Sequence, residues 1–196
     1  MRTAIKRTVV TLLIIALSIG IGYAYDFLRD KIDRHLYPRD YREYVERYSA
    51  MYGVPEHIVY AVIKVESKFV SNAVSHAGAV GLMQITPDTF DWLMLRQKEE
   101  MDTGMLYDPE TNIKYGTYLL SRYYDRYGDW KLVFAAYNGG PGNLDKWLED
   151  PEYADGEGGL KKIPFRETRN YVRKVTDAWD TYERLYGEEY QAETVQ

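Results

Sequence analysis

The sequence predicts a mainly α-helical single domain behind an N-terminal membrane-spanning helix. Three observations carry this. Residues 8–25, TVVTLLIIALSIGIGYAY, hold no charge. The rest of the chain is a series of segments with apolar residues at three- and four-residue spacing, opened by Asp, Thr or Pro and closed by Gly. Apolar residues make up 45% and charged residues 28% of the chain, the balance of a globular protein and not of a disordered one.

Eighteen residues at about 1.5 Å each span roughly 27 Å, enough to cross a bilayer core. Arg2, Lys6 and Arg7 precede the run, so the flank 1–7 is expected in the cytoplasm and everything after Asp26 outside. A cleaved signal peptide is the rival reading. The apolar run is longer than a usual signal core, and GYAYD is a poor cleavage site. Residues 26–40 read as a juxtamembrane segment, 41–186 as the domain and 187–196 as a frayed tail.

Within the domain, DYREYVERYSAMYG reads as a helix stopped by Gly53. The next helix starts at Pro55 and runs to about Lys68. Residues 70–85 read as a small-residue loop or bent hairpin. Thr86 and Pro87 restart helix, and Asp108 and Pro109 repeat that grammar up to Gly128. Asp129 opens a short helix through Tyr137, which NGGPG breaks. After a Gly-rich acidic loop, residues 149–159, FRETRNYVRKVTDAWDTYERLYG forms the longest helical pattern of the domain.

A net charge of −5 argues against nucleic acid, which demands a basic face. With no cysteine, disulfides and thiolate catalysis are excluded. His35, His57 and His76 lack metal-ligand spacing, so no metal site is read from them. Most of the 20 tyrosines fall at helical spacing and are expected to pack helices.

One carboxylate stands apart. On a helical wheel with Ile58 at zero, Val65, Val62 and Val59 fall at about −20°, 40° and 100°, and Glu66 at about 80°. Lys64, His57, Tyr60 and Ser67 take the other side. Glu66 thus projects from the inward stripe near a helix end. Desolvation there raises its pKa, which keeps a general acid protonated near neutral pH. A solvated helix-end Glu, or one paired with a buried Arg, fits the same position.

The stretch ESKFVSNAVSHAGAVGLMQITPDTF, with Glu66, Ser67, Phe69, Ser75, Gly78, Ala79, Gly81, Leu82, Met83, Gln84, Pro87 and Thr89, resembles the first motif of the lytic transglycosylase (SLT) domain. AAYNGGPG (Ala136, Tyr137, Asn138, Gly140, Gly142) and IPFRETRNYV (Ile163, Pro164, Glu167, Thr168, Tyr171, Val172) resemble two further blocks, in order, over about residues 50–180. The resemblance implies a lysozyme-like fold of glycoside hydrolase family 23. The implied activity is lyase cleavage of the β-1,4 bond between N-acetylmuramic acid and N-acetylglucosamine in peptidoglycan. The muramyl 6-hydroxyl attacks its own anomeric carbon and leaves a 1,6-anhydro product, and the resemblance implies that no metal or cofactor is needed. The implied setting is the bacterial inner membrane, with the domain on the periplasmic or cell-wall side. Peptidoglycan glycan strands are the expected partner, and a further cell-envelope protein is an open one.

The resemblance makes Glu66 the acid and then the base. Ser75 would lie near the reacting sugar, or be a turn serine. Met83 and Gln84 would line the cleft, with a buried structural glutamine as the other reading. Tyr137 and Asn138 would form the floor, with Asn138 alternatively a plain helix cap. Glu167 and Tyr171, four residues apart, would face the cleft and hold groups in place. Otherwise Glu167 forms a buried ion pair with Arg166, Arg169 or Arg173. Two other functions remain open: a hydrolase like goose-type lysozymes, and an inactive glycan-binding module of the envelope.

Overall fold

The computed structural model describes the backbone of residues 2–193 and, within it, the side chains of residue 7 and residues 11–190. Met1, residues 194–196 and the side chains of Arg2 and Lys6 from the predicted flank lie outside the described residues. The chain divides into two units, residues 1–38 and 39–196.

The first unit is one helix, α1 (Arg2–Leu36). The predicted span and most of the predicted juxtamembrane segment are therefore continuous. No Gly or Pro falls between Ala24 and Leu36 to interrupt them, and Pro38 follows the end. Its portion Thr11–Leu36 is long and apolar enough to cross a membrane. The apolar side chains Leu12, Leu13, Ile14, Ile15, Leu17, Ile19 and Ile21 are exposed.

The second unit is helical. It comprises α2 (Arg42–Tyr52), α3 (Glu56–Glu66), α4 (Pro87–Gln97), a 3-10 turn (Thr103–Tyr107), α5 (Pro109–Tyr127), α6 (Trp130–Gly139), α7 (Pro141–Glu149) and α8 (Arg166–Glu193). Extended pairing among the described residues is limited to the isolated bridges Val74–Val80, Val80–Ile85 and Ala154–Leu160. The first two make residues 70–85 a bent, bridged loop.

Side-chain caps set three helix starts where the sequence places them. The backbone N–H groups of Thr89, Thr111 and Leu132 donate to the side chains of Thr86 (3.3 Å), Asp108 (2.8 Å) and Asp129 (3.0 Å). Gly53 and Gly128 close their helices in the left-handed region, both at φ 67°. The departures are local. Pro55 is the cap residue of α3 and not its first turn. The helix ends at Glu66, two residues short of Lys68, because Lys68 and Phe69 both turn left-handed (φ 53° and 68°). NGGPG is a break followed by a restart: α6 runs on to Gly139, and Pro141 opens α7, a helix the sequence reading missed.

The predicted tail is corrected. The last helix does not fray at Gly187 but continues to Glu193. Tertiary contacts outweigh the glycine. Arg39 Nη2 donates to Glu189 Oε2 at 2.6 Å, and its guanidinium lies 4.6 Å from the Tyr186 ring and 5.5 Å from that of Tyr190.

At the centre runs α3, packed against α8 and α2. Ile58, Val59, Tyr60, Ala61, Val62 and Ile63 are all fully buried. The wheel's outward side is therefore wrong for Tyr60 and Ser67, both buried. A helix surrounded by neighbours buries its whole circumference. Tyr60 stacks on Tyr182 of α8 at 5.4 Å. Helix α8 presents Tyr171, Val172, Val175, Ala178, Tyr182 and Leu185 inward at three- and four-residue steps. Tyrosine stacks between helices, such as Tyr52 on Tyr118 at 5.2 Å, support the packing role expected for that residue type.

Candidate active site

The central helix delivers Glu66 as its last residue. Burial pushes the Glu66 pKa up from 4.5 to about 7, and a contact from the Tyr171 hydroxyl pulls the other way. The C-terminal pole of a helix also disfavours negative charge. No ion pair or further hydrogen bond to Glu66 occurs among the described residues. At neutral pH this carboxyl is poised between its acid and base forms.

Two tyrosines surround it. Tyr171, on α8, is buried, and burial together with the nearby Glu66 charge raises its pKa well above the ordinary value. The approach of its hydroxyl to Glu66 falls short of full hydrogen-bond geometry, and that hydroxyl has no well-formed bond elsewhere. Catalytic contacts are often loose in the absence of substrate. Tyr137, in the last turn of α6, donates its hydroxyl to the Met83 carbonyl at 2.7 Å. Its pKa is also held well above the usual value, by burial and then by Glu66. Three elements distant in sequence thus meet at one carboxyl.

The loop from Ser67 to Ile85 walls the site and is strained. Lys68, Phe69 and Gln84 (φ 52°) are three of the five non-glycine residues at positive φ among the described residues. Such strain concentrates at functional sites. One buried side chain holds the loop from below. Asn112 of α5 donates to the carbonyls of Val80 (2.9 Å) and Leu106 (2.8 Å) and accepts from Met83 N–H (2.7 Å). Gly81, at φ +83°, leaves room for it: a Cβ there would collide with the Asn112 amide and the Leu106 carbonyl. The close approach at Gly81 is thus internal.

The other expected site residues divide. Gln84 is half-buried, and its Nε2 donates to the carbonyls of Ala73 (3.1 Å) and Gly81 (2.9 Å), a structural use that leaves Oε1 without a hydrogen bond among the described residues. Ser75 is exposed, and its hydroxyl accepts from Ala79 N–H at 3.0 Å, as a turn serine does. Met83 is fully buried against Gly116, so its side chain serves the core and only its carbonyl reaches the site. Asn138 is exposed beside Tyr137. It is not the cap of α6, a position taken by Gly140 with its N–H on the Ala136 carbonyl. Glu167 is exposed on the first turn of α8 and makes no ion pair among the described residues, which removes the buried-pair alternative. Its neighbour Thr168 is the buried member of that turn, packed with Trp147 against Gly139.

Asn112 was missed. A polar residue on the inward face of α5, in register with Gly116 and Leu119, was the available signal.

A helical domain whose central helix ends in one carboxylic acid beside two tyrosines holds the groups that acid–base chemistry needs. Within it, the Transglycosylase SLT domain profile matches residues 43–157, and the chain belongs to that family. The Soluble lytic murein transglycosylase of Escherichia coli (strain K12) is 34% identical over 169 residues, which cover 84% of this chain and 25% of that protein. Membrane-bound lytic murein transglycosylase C of Cronobacter sakazakii is 30% identical over 192 residues, covering 85% and 53% respectively. An inactive glutamate-to-glutamine mutant of lytic transglycosylase Slt from Pseudomonas aeruginosa superposes with a TM-score of 0.68 at 32% identity, covering 76% of this chain and 24% of that one. The chain thus spans about a quarter to a half of the length of these relatives.

Proposed function

We propose that this protein is a lytic transglycosylase that cleaves the β-1,4 bond between N-acetylmuramic acid and N-acetylglucosamine in peptidoglycan, with Glu66 as its acid and base. The observation that carries this is the poised carboxyl of Glu66, with a pKa of about 7 and only tyrosine hydroxyls as polar company. A glycosidase that activates water or forms a glycosyl ester uses a second carboxylate. Here both tasks pass to the substrate. Glu66 protonates the leaving glycosidic oxygen while the 2-acetamido oxygen supports the anomeric carbon. The resulting carboxylate takes the proton from the 6-hydroxyl as that oxygen closes on the same carbon. The hydroxyl is tethered to the reacting sugar, so proximity replaces a bound water. One group acts as acid and then base.

Tyr171 steadies the carboxylate in the second half of the cycle, and Tyr137 ties the floor to the Met83 carbonyl. Asn138, Ser75 and Glu167, which are exposed, and the half-buried Gln84 through its Oε1 are the candidates for sugar contacts. In support, a glutamate-to-glutamine mutant of the Pseudomonas relative is described as inactive. Helix α1 supplies the anchor to the bacterial inner membrane, with the domain on the outer side, a reading supported by its length and apolarity and by a relative named membrane-bound. Mass spectrometry of digested peptidoglycan tests the chemistry. Anhydromuramyl ends that vanish with Glu66→Gln are expected, and reducing muramyl ends from the wild type would overturn it in favour of a hydrolase.

A further inference from the structure

The helix that carries Glu66 ends differently from its neighbours. α2 and α5 close on Gly53 and Gly128, and α4 on one left-handed residue, Lys98 (φ 57°). After α3 the chain passes through two successive non-glycine residues at positive φ, Lys68 at 53° and Phe69 at 68°. Tyr41, Gln84 and Lys98, the others of this kind among the described residues, stand singly. Left-handed backbone crowds the Cβ of an L-residue against the following carbonyl oxygen. A pair of such residues persists only where the surrounding structure imposes it.

The imposing contacts are in place. The Ile63 carbonyl accepts from the N–H groups of Ser67 and Lys68, both at 3.1 Å, and from the Ser67 hydroxyl at 3.3 Å. Ser67 is buried, and its own carbonyl accepts from Val70 N–H at 3.1 Å. The Phe69 ring lies 6.4 Å from the ring of Tyr60, which is fully buried and also stacks on Tyr182 of α8. Tyr60 comes six residues before Glu66, about 9 Å back along the helix axis. The chain therefore doubles back on its own helix within three residues of the acid.

Lys68 contributes to this turn through its backbone. Its side chain is exposed, and its ammonium makes no ion pair or hydrogen bond among the described residues. Glycine would take the same conformation without strain. A residue with a Cβ differs in one respect: its left-handed region is small, whereas glycine ranges over much of the map. Once forced into that small region, lysine and phenylalanine make a stiffer reversal than glycine would.

We propose that Lys68 and Phe69 are positioning residues for Glu66: a stiff left-handed pair, clamped by Phe69 on Tyr60, that ends α3 at the acid and fixes the direction of its carboxyl. This rests on Glu66 being the acid and base of the reaction. A loose reversal at this point lets the last residue of the helix swing out into water.

The test compares wild type, Lys68→Gly and Lys68→Asn in the full chain. Both variants remove the ammonium and both accept left-handed backbone, but only glycine adds freedom. Lys68→Gly should lower kcat for release of anhydromuramyl products about tenfold at unchanged KM, because a loosened acid misses its position at proton transfer while substrate contacts stay. Lys68→Asn should recover the wild-type kcat to within about twofold. A wild-type kcat in Lys68→Gly, or equal losses in both variants, overturns the proposal. A second measurement is independent of turnover. The carbon-13 signal of the Glu66 carboxyl, assigned by its disappearance in Glu66→Gln, reports the titration midpoint. In Lys68→Gly the midpoint should drop by about one unit toward the ordinary 4.5, as water reaches the carboxyl. In Lys68→Asn it should stay at the wild-type value. One midpoint shared by all three proteins also overturns the proposal. Should the wild type release no anhydromuramyl product, the proposed chemistry fails, and the titration series still decides whether the pair positions Glu66.

Discussion

Glu66 and Glu167 lie on the two helices that flank the same site, and they live under opposite conditions. Glu66 ends a helix whose middle, residues 58–63, is fully buried, and burial pushes the pKa of its carboxyl up to about 7. Glu167 begins a helix whose first turn is exposed, at the N-terminal pole of that helix. The residue type is the same: Glu66 meets the Tyr171 hydroxyl from α3, and Glu167 stands four positions before Tyr171 on α8. Which end of a helix a glutamate occupies, and what surrounds that end, decides whether its carboxyl meets protein or water.

The contrast can be broken most sharply by exchanging each acid for its amide. Glu66→Gln should lower the release of anhydromuramyl products by about a thousandfold, within the range for loss of a positioned general acid. Substantial residual release would remove Glu66 from the mechanism. The next largest effect tests the support beneath the Glu66 loop, which has no counterpart at Glu167. Asn112→Ala strands one N–H and two carbonyls in the interior. It should destabilise the domain by about 3 kcal/mol, a drop of roughly 10 °C in a thermal melt.

A third experiment reads the Glu66 environment through stability. Its folded pKa, about 7, lies above the unfolded value of 4.5, so the folded state holds the proton more tightly. The penalty for ionising Glu66 is absent below about pH 4.5, grows as pH rises, and is complete above about pH 7. Glu66→Gln should therefore melt higher than wild type at pH 8 by about 2 kcal/mol equivalent, after allowance for partial exposure, and match it at pH 4. Equal melting at both pH values would mean that the site is wet.

A smaller effect is expected for Tyr171→Phe. The hydroxyl stabilises the carboxylate, so its loss raises the Glu66 pKa further. The alkaline limb of the pH–activity profile should move up while the maximal rate falls about tenfold. Glu167→Gln completes the series with the least. It should leave that limb in place, keep the loss under about tenfold, and change stability by less than about 0.5 kcal/mol, as surface exchanges do. A shift of the limb in Glu167→Gln would mean that Glu167 sets the proton on Glu66 and would erase the distinction.

Much of the fold was legible because helix grammar is local. Thr86, Asp108 and Asp129 cap where they stand, and Gly53 and Gly128 stop what precedes them, whatever the rest of the chain does. Legibility failed where long-range contacts outvote local ones. Gly187 reads as a stop, yet Arg39, 148 positions earlier, secures the turns beyond it. Tyr60 looks like an outward residue until α8 covers it. In the site, Glu66 was legible from its angle on the wheel. The burial of the Met83 side chain and the exposure of Glu167 were not, since a motif preserves the order of residues and not the direction of each side chain.

The chain alone determined the element types, the apolar N-terminal run and the identity of the one acid on an inward stripe, because periodicity and capping act within a few residues of backbone. Only the tertiary structure decided that Tyr171 and Tyr137 converge on Glu66 and that Asn112 carries the loop. Each depends on distances between helices far apart in sequence, and desolvation exists only once those helices have closed around the carboxyl.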